Sequence, residues 1–182
     1  MKVLVTGNPN YKGLAHGIQQ ALEGTEHTVE FIGRFNGWSL RETDRIADHA
    51  KDFDVFVNSQ YGQTGEQQNI LSDVYDKFEK GHIINLGSTK EYWRDKEDAY
   101  TENKIELHNL SKERCKWHCW GNSEIKMTYI SFGNLASESQ LARNDGKVKI
   151  DLKQAGEYIK WIMEQPANIN LHYLALDPVQ TD

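Results

Sequence analysis

Short apolar runs rich in β-branched residues alternate with amphipathic helical stretches along the whole chain. That alternation limits the fold more than any other feature. Strands joined through helices cannot form tight hairpins, so they line up in parallel and are covered by their own connections. Residues 2–6 read as a strand that ends at Gly7. Leu14, Ile18 and Leu22 recur at helical spacing, with Ala15 and Ala21 beside them, and that helix closes near Gly24. The same reading places strands at 27–32, 54–58, 82–86, 126–132 and 169–176. It places helices at 41–53, 67–78, 99 to about 115, and from Leu152 to Met163 before Pro166. No linker, repeat or low-complexity tract interrupts them. The expectation is one α/β domain over residues 1–182, a Rossmann-like, doubly wound, mostly parallel sheet with helices on both faces.

Bulk composition narrows the partners. A net charge of -6 and a pI near 5.6 leave no basic stripe for phosphate backbones, so nucleic acid is not expected. No run of about 18 apolar residues is present, which argues against a membrane helix. Residues 1–7 read as a strand and not as a signal peptide. Two cysteines do not make a disulfide framework, and a reducing cytoplasm is the expected setting. The mean hydropathy of -0.72 describes a strongly polar surface.

In a sheet of this kind ligands bind beyond the carboxyl ends of the strands. Thr6-Gly7-Asn8, Gly33-Arg34, Asn58-Ser59-Gln60, Gly87-Ser88 and Gly133-Asn134 occupy those ends and should converge. Tyr100 and Lys104 lie four residues apart, hence on one helical face one turn from each other. A neighbouring ammonium is expected to hold a phenol below its free value of about 10, so that it exchanges protons near neutrality. Ser88 precedes Tyr100 by twelve positions, at the end of an apolar strand, and should lie close to the pair.

With these residues in order, the chain resembles the short-chain dehydrogenase/reductase family. Thr6-Gly7-Asn8-Pro9-Asn10-Tyr11-Lys12-Gly13 resembles its glycine-rich turn, with Tyr11 where the middle glycine stands. Asp54–Asn58 resembles the strand into its Asn-Asn-Ala-Gly motif, and Ile83–Ser88 its catalytic-serine strand. Tyr100–Lys104 resembles its YxxxK signature, and Phe132-Gly133 its Pro-Gly. About twenty residues separate Arg34 from Val55, so the second crossover is abbreviated.

The resemblance implies an NADP-dependent oxidoreductase that moves a hydride between NADP(H) and a small carbonyl or alcohol. Tyr100 would exchange the proton, Ser88 would stabilise the substrate oxygen, and Lys104 would tune the phenol and hold the nicotinamide ribose. The cofactor would meet Thr6, Gly7, Asn8, Tyr11, Lys12, Gly13, Asn58, Ser59, Lys104 and Gly133. The Tyr11 ring would either push it outward or fold over it. Arg34 follows the second strand, where an acidic residue would select NAD; an arginine suits the 2′-phosphate of NADP. The fourth catalytic residue of the family has no match, Asn69 lying too near. Homodimers or homotetramers are implied, through Cys115–Trp120 and Leu171–Leu176. The alternative is a non-catalytic nucleotide-binding or regulatory protein on the same fold. Cys115, His118, Cys119 and His108 have loose spacing for zinc, and the two cysteines read as small packing residues. Trp93 and Tyr92 lie where the chain loops over the substrate end, and 134–148 where the family keeps a substrate lid.

Overall fold

The computed structural model describes residues 1–93, 98–119 and 124–179, with all side chains except those of Trp93 and residues 117–119. Six strands form one parallel sheet: β1 (Lys2–Thr6), β2 (Thr28–Ile32), β3 (Val55–Asn58), β4 (Lys80–Ser88), β5 (Glu124–Phe132) and β6 (Tyr173–Leu176). Their order is β2-β1-β3-β4-β5-β6. The usual dinucleotide-binding order is 3-2-1-4-5-6, so the strand that would flank β2 is missing. Its place in the chain is taken by α2 (Thr43–Ala50), a single helix between β2 and β3. That is the physical form of the abbreviated crossover.

Alternation along the strands divides the core. Val3, Val5, Val55 and Val57 face one way, and Leu4 and Phe56 the other. On the first face lie α1 (Leu14–Leu22) and α7 (Leu152–Met163), which pack on each other. The second face carries α2, α3 (Glu66–Lys77) and α5 (Ala99–Cys119). Short helices α4 (Lys90–Trp93) and α6 (Glu138–Leu141) lie in the loops after β4 and β5.

At the α1–α7 crossing the two backbones touch. A Cβ on Gly17 would overlap the Leu152 carbonyl, and one on Gly156 would overlap the Gly17 carbonyl. At the other end of the sheet the last strand is shorter than its apolar pattern. Residues 169–172 are excluded because the Asn170 side chain, not a backbone carbonyl, accepts from the Met127 N–H at 3.1 Å. The ladder starts at Tyr129 and Tyr173. Among the described residues no helix is long and apolar enough to cross a membrane.

Candidate functional site

All strands run the same way, so the carboxyl ends of β1, β3, β4 and β5 open on one edge, at the reversal of strand order. There the chain turns at Gly7, whose φ of +146° L side chains rarely adopt and whose Cβ would lie 2.8 Å from that of Ala15. The His16 ring, 2.8 Å from the Pro9 carbonyl, braces the turn. Gly13 caps α1 without a side-chain acceptor. Beside these residues is a cleft of about 270 Å³, lined by Asn8, Tyr11, Leu14, Ser59 and Gln60. Tyr11, 49% exposed, lines this cleft.

Thr6 and Asn58 are fully buried and fasten the strand ends. Thr6 Oγ1 accepts from the Ser59 and Gln60 N–H groups at 2.9 and 3.1 Å, and the Ser59 hydroxyl donates to the Thr6 carbonyl. Asn58 Nδ2 donates to the Gln67 carbonyl and to Asn85 Oδ1. The carboxamide oxygens of Asn58 and Gln60 are buried without a protein partner. Arg34 is exposed on a short turn after Gly33, and Gly33 borders both Gln60 and the Phe35 ring. The Lys12 side chain is exposed, and its carbonyl accepts from the Glu138 N–H at 2.9 Å, tying the loop after β5 to the glycine turn. Gly133 donates its N–H to the Leu176 carbonyl at 2.8 Å.

Ser88 closes β4, and Tyr100 and Lys104 stand on the first turns of α5. The structure brings the three together. Ser88 lies beside the Tyr100 phenol, and the Lys104 ammonium lies 5.6 Å from the Tyr100 ring centroid. The expected acidic phenol is not found. Burial raises Tyr100 above the ordinary tyrosine value, and the neighbouring Ser88 only opposes this. Lys104 does not offset the shift because its ammonium is turned elsewhere, donating to Gln67 Oε1 at 2.6 Å and the Leu86 carbonyl at 2.7 Å. Burial lowers Lys104 itself to about 7, with the Glu91 carboxylate opposing.

That shift has a signature in stability. Between about pH 7 and the ordinary lysine value of 10.5, the unfolded chain holds a proton here that the folded chain has released. Stability from this group therefore rises with pH through that window and is lowest below it. Urea melts at about pH 7.5 and about pH 9 should show wild type gaining about 2 kcal/mol more than Lys104→Met over the interval. Equal gains would mean that the Lys104 proton is not displaced by folding.

Three groups carry no motif in the sequence. Tyr61 packs edge-on against Tyr100, centroids 4.8 Å apart. Gln67 holds Lys104. Glu91, buried on α4, accepts from Ser131 Oγ at 2.7 Å and from the Tyr129 hydroxyl at 3.0 Å, and pairs with His108 Nδ1 at 3.3 Å. The same Tyr129 hydroxyl shares its one proton with the Lys104 carbonyl, 2.9 Å away, and Gly87 has no Cβ because the Tyr129 phenol fills that space. His108 is thus engaged with a carboxylate, and its ring stacks 4.3 Å from that of Tyr129. Cys115 is buried with Sγ against the Met127 carbonyl, which removes it from any subunit surface. The side chains of Trp93, Trp117, His118 and Cys119, and residue Trp120, lie outside the described residues. Tyr92 is exposed and meets Tyr173 edge-on. The loop after β5 is pinned by a bridge between Leu135 and Ile150.

No protein-family model matches this sequence, and no curated protein sequence matches it. Solved structures do match. Serine dehydrogenase from Escherichia coli is 16% identical, with 97% of each chain covered and a TM-score of 0.67. The 3-alpha-hydroxysteroid dehydrogenase of Pseudomonas sp. B-0831, complexed with NADH, is 14% identical over 97% of this chain and 95% of that chain, TM-score 0.71. A 3-oxoacyl (acyl-carrier-protein) reductase from Agrobacterium tumefaciens with NADP bound is 11% identical over 97% and 92%, TM-score 0.73. With a parallel sheet, a glycine turn at the strand-order reversal and this match along nearly its full length, the chain has the fold of the short-chain dehydrogenases/reductases.

Proposed function

We propose that residues 1–182 form one NAD(P)-binding domain whose activity is the reduction of a small carbonyl compound, with NADP preferred over NAD. The observation that carries this reading is the gathering of Ser88, at the end of β4, and the Lys104 ammonium, 5.6 Å from the ring centroid, around the Tyr100 phenol. Two of these solved structures hold NADH or NADP, and the residues here fit such a group. Gly7 lets the turn close onto α1 at Ala15, α1 begins without a side-chain cap, and the buried Gln60 carboxamide oxygen, at the cleft, has no protein partner. Gly7, Asn8, Gly13 and Ser59 would hold the dinucleotide, and Thr6 and Asn58 would brace them. Tyr11 and Lys12 would border its phosphates, and Gly133 would close the nicotinamide side. When bound, the nicotinamide supplies the hydride.

The chain's own residues handle the oxygen and its proton. A substrate carbonyl oxygen placed beside Ser88 and Tyr100 accepts two hydrogen bonds, which favour the charge that develops there. Tyr100 gives up its proton to that oxygen as the alcohol forms. Lys104 stands one turn away, its ammonium held by Gln67 and the Leu86 carbonyl. A cytoplasmic homodimer or homotetramer completes this reading, with the edge strand β6 as one contact.

Calorimetric titration with NADPH and NADH in parallel tests it. NADPH should bind more tightly, and Arg34→Ala should narrow the preference by about tenfold through loss of a charge-assisted contact to the 2′-phosphate. An unchanged preference in the variant would assign the phosphate to another residue, and no binding of either nucleotide would sink the cofactor reading. A second reading rests on Tyr61. Its ring lies against Tyr100 and 5.6 Å from Lys104, whose ammonium already has Gln67 and Leu86 as partners. A nucleotide-binding protein without chemistry would look like this, and it would bind NADPH yet reduce no carbonyl.

A further inference from the structure

The oxidoreductase reading leaves the substrate open, and the surroundings of Tyr100 narrow it. Lys90 lies two residues after Ser88, at the start of α4. Its ammonium is 5.6 Å from the Tyr100 ring centroid, within cation–π range and as near as that of Lys104. The two lysines differ in what they have left to offer. Lys104 is buried and committed to Gln67 and Leu86, whereas Lys90 is 58% exposed at its side chain.

Among the described residues no carboxylate neutralises Lys90 firmly. Glu91 follows it in sequence but points inward, to Tyr129, Ser131 and His108. Asp98 Oδ2 is 3.9 Å from the Lys90 ammonium, a long pair in solvent that contributes little. The other oxygen of Asp98 accepts from the Thr101 N–H at 2.7 Å, capping α5, so this carboxylate is held by the helix and cannot follow the lysine. An ammonium with donors to spare therefore stands beside the phenol, on the segment that also carries Ser88.

We propose that Lys90 is a substrate-binding residue that receives a carboxylate, making the substrate an oxo acid whose carbonyl lies on Ser88 and Tyr100 while its carboxylate meets Lys90. A charge-assisted hydrogen bond at that point orients the carbonyl and rejects uncharged analogues. This inference rests on the oxidoreductase reading, and its test separates the two.

A series of linear oxo acids and their methyl esters should be assayed with NADPH on wild type, Lys90→Met and Lys90→Arg. Binding of the corresponding saturated carboxylates should be measured in parallel by calorimetry. The expected result is an acid-over-ester preference in kcat/KM that falls about tenfold or more in Lys90→Met and is largely restored in Lys90→Arg. Carboxylate binding should weaken in step. An acid preference that survives Lys90→Met, or esters reduced as well as acids by wild type, would overturn the assignment while leaving the oxidoreductase reading standing. Carboxylate binding that depends on Lys90, with no substrate reduced, would keep the anion site and overturn the oxidoreductase reading. Neither binding nor turnover would overturn both.

Discussion

Tyr100→Phe is expected to lower carbonyl reduction by about a thousandfold, the usual contribution of a positioned general acid. The substitution removes one oxygen, the proton source in the proposed reduction. The ring keeps its edge-on contact with Tyr61 and its place on α5, so the fold has little reason to respond. Affinity for NADPH should change little, since the phenol lies at the substrate end and the glycine turn is untouched. Stopped-flow measurement of hydride transfer, beside calorimetric titration of NADPH, separates chemistry from binding. Turnover near the wild-type level would remove Tyr100 from the chemistry and return Ser88 and Lys104 to structural roles. Loss of NADPH binding would instead place the phenol against the cofactor.

Gly17→Ala and Gly156→Ala should each destabilise the protein by about 3 kcal/mol, at the upper end of ordinary overpacking costs. Helix propensity alone favours alanine over glycine by about 1 kcal/mol, so the expected sign is opposite to the local one. The reason is what the new methyl would strike. At Gly17 it meets the Leu152 carbonyl and at Gly156 the Gly17 carbonyl, both backbone atoms that cannot rotate aside. The helices would have to separate, and α1 would shift at the end that borders the candidate cleft. For a chain of this size the loss corresponds to a fall in Tm of roughly 6–12 °C. Gln19→Ala, on the exposed side of α1, should stay near wild type. Thermal melts of the three variants check the contrast, and a neutral Gly17→Ala would show that the crossing has slack.

The sheet was legible in the sequence because strands buried on both faces must be apolar along their length. Val55–Asn58 and the inner part of Lys80–Ser88 are such runs, fully buried and visible without any partner being known. The last strand was overestimated because an apolar pattern does not reveal that the Asn170 side chain takes over a ladder bond. At the site, helical spacing was enough to pair Tyr100 with Lys104 and the strand end enough to bring Ser88 to them. Spacing could not say where the lysine points. Gln67 on α3 and the Leu86 carbonyl on β4 decide that, and both are far from Lys104 in sequence.

The Glu91 network was hidden for the same reason. Its members come from α4, α5, β5 and β6, and each alone reads as an ordinary polar residue of its own helix or strand. A buried carboxylate that breaks the rule of burying apolar groups is recognisable only once its partners are in place.

The contact between α1 and α7 also bears on how the protein comes to be made. The first helix leaves the ribosome early, but the surface that seats it belongs to residues 152–163. During synthesis the Ile18 and Leu22 face of α1 has no α7 to cover it until nearly all the sheet has been translated. The glycine turn at the head of α1 can acquire its final setting only after that late arrival. A nascent chain should therefore be unable to hold a nucleotide until its last helix has emerged.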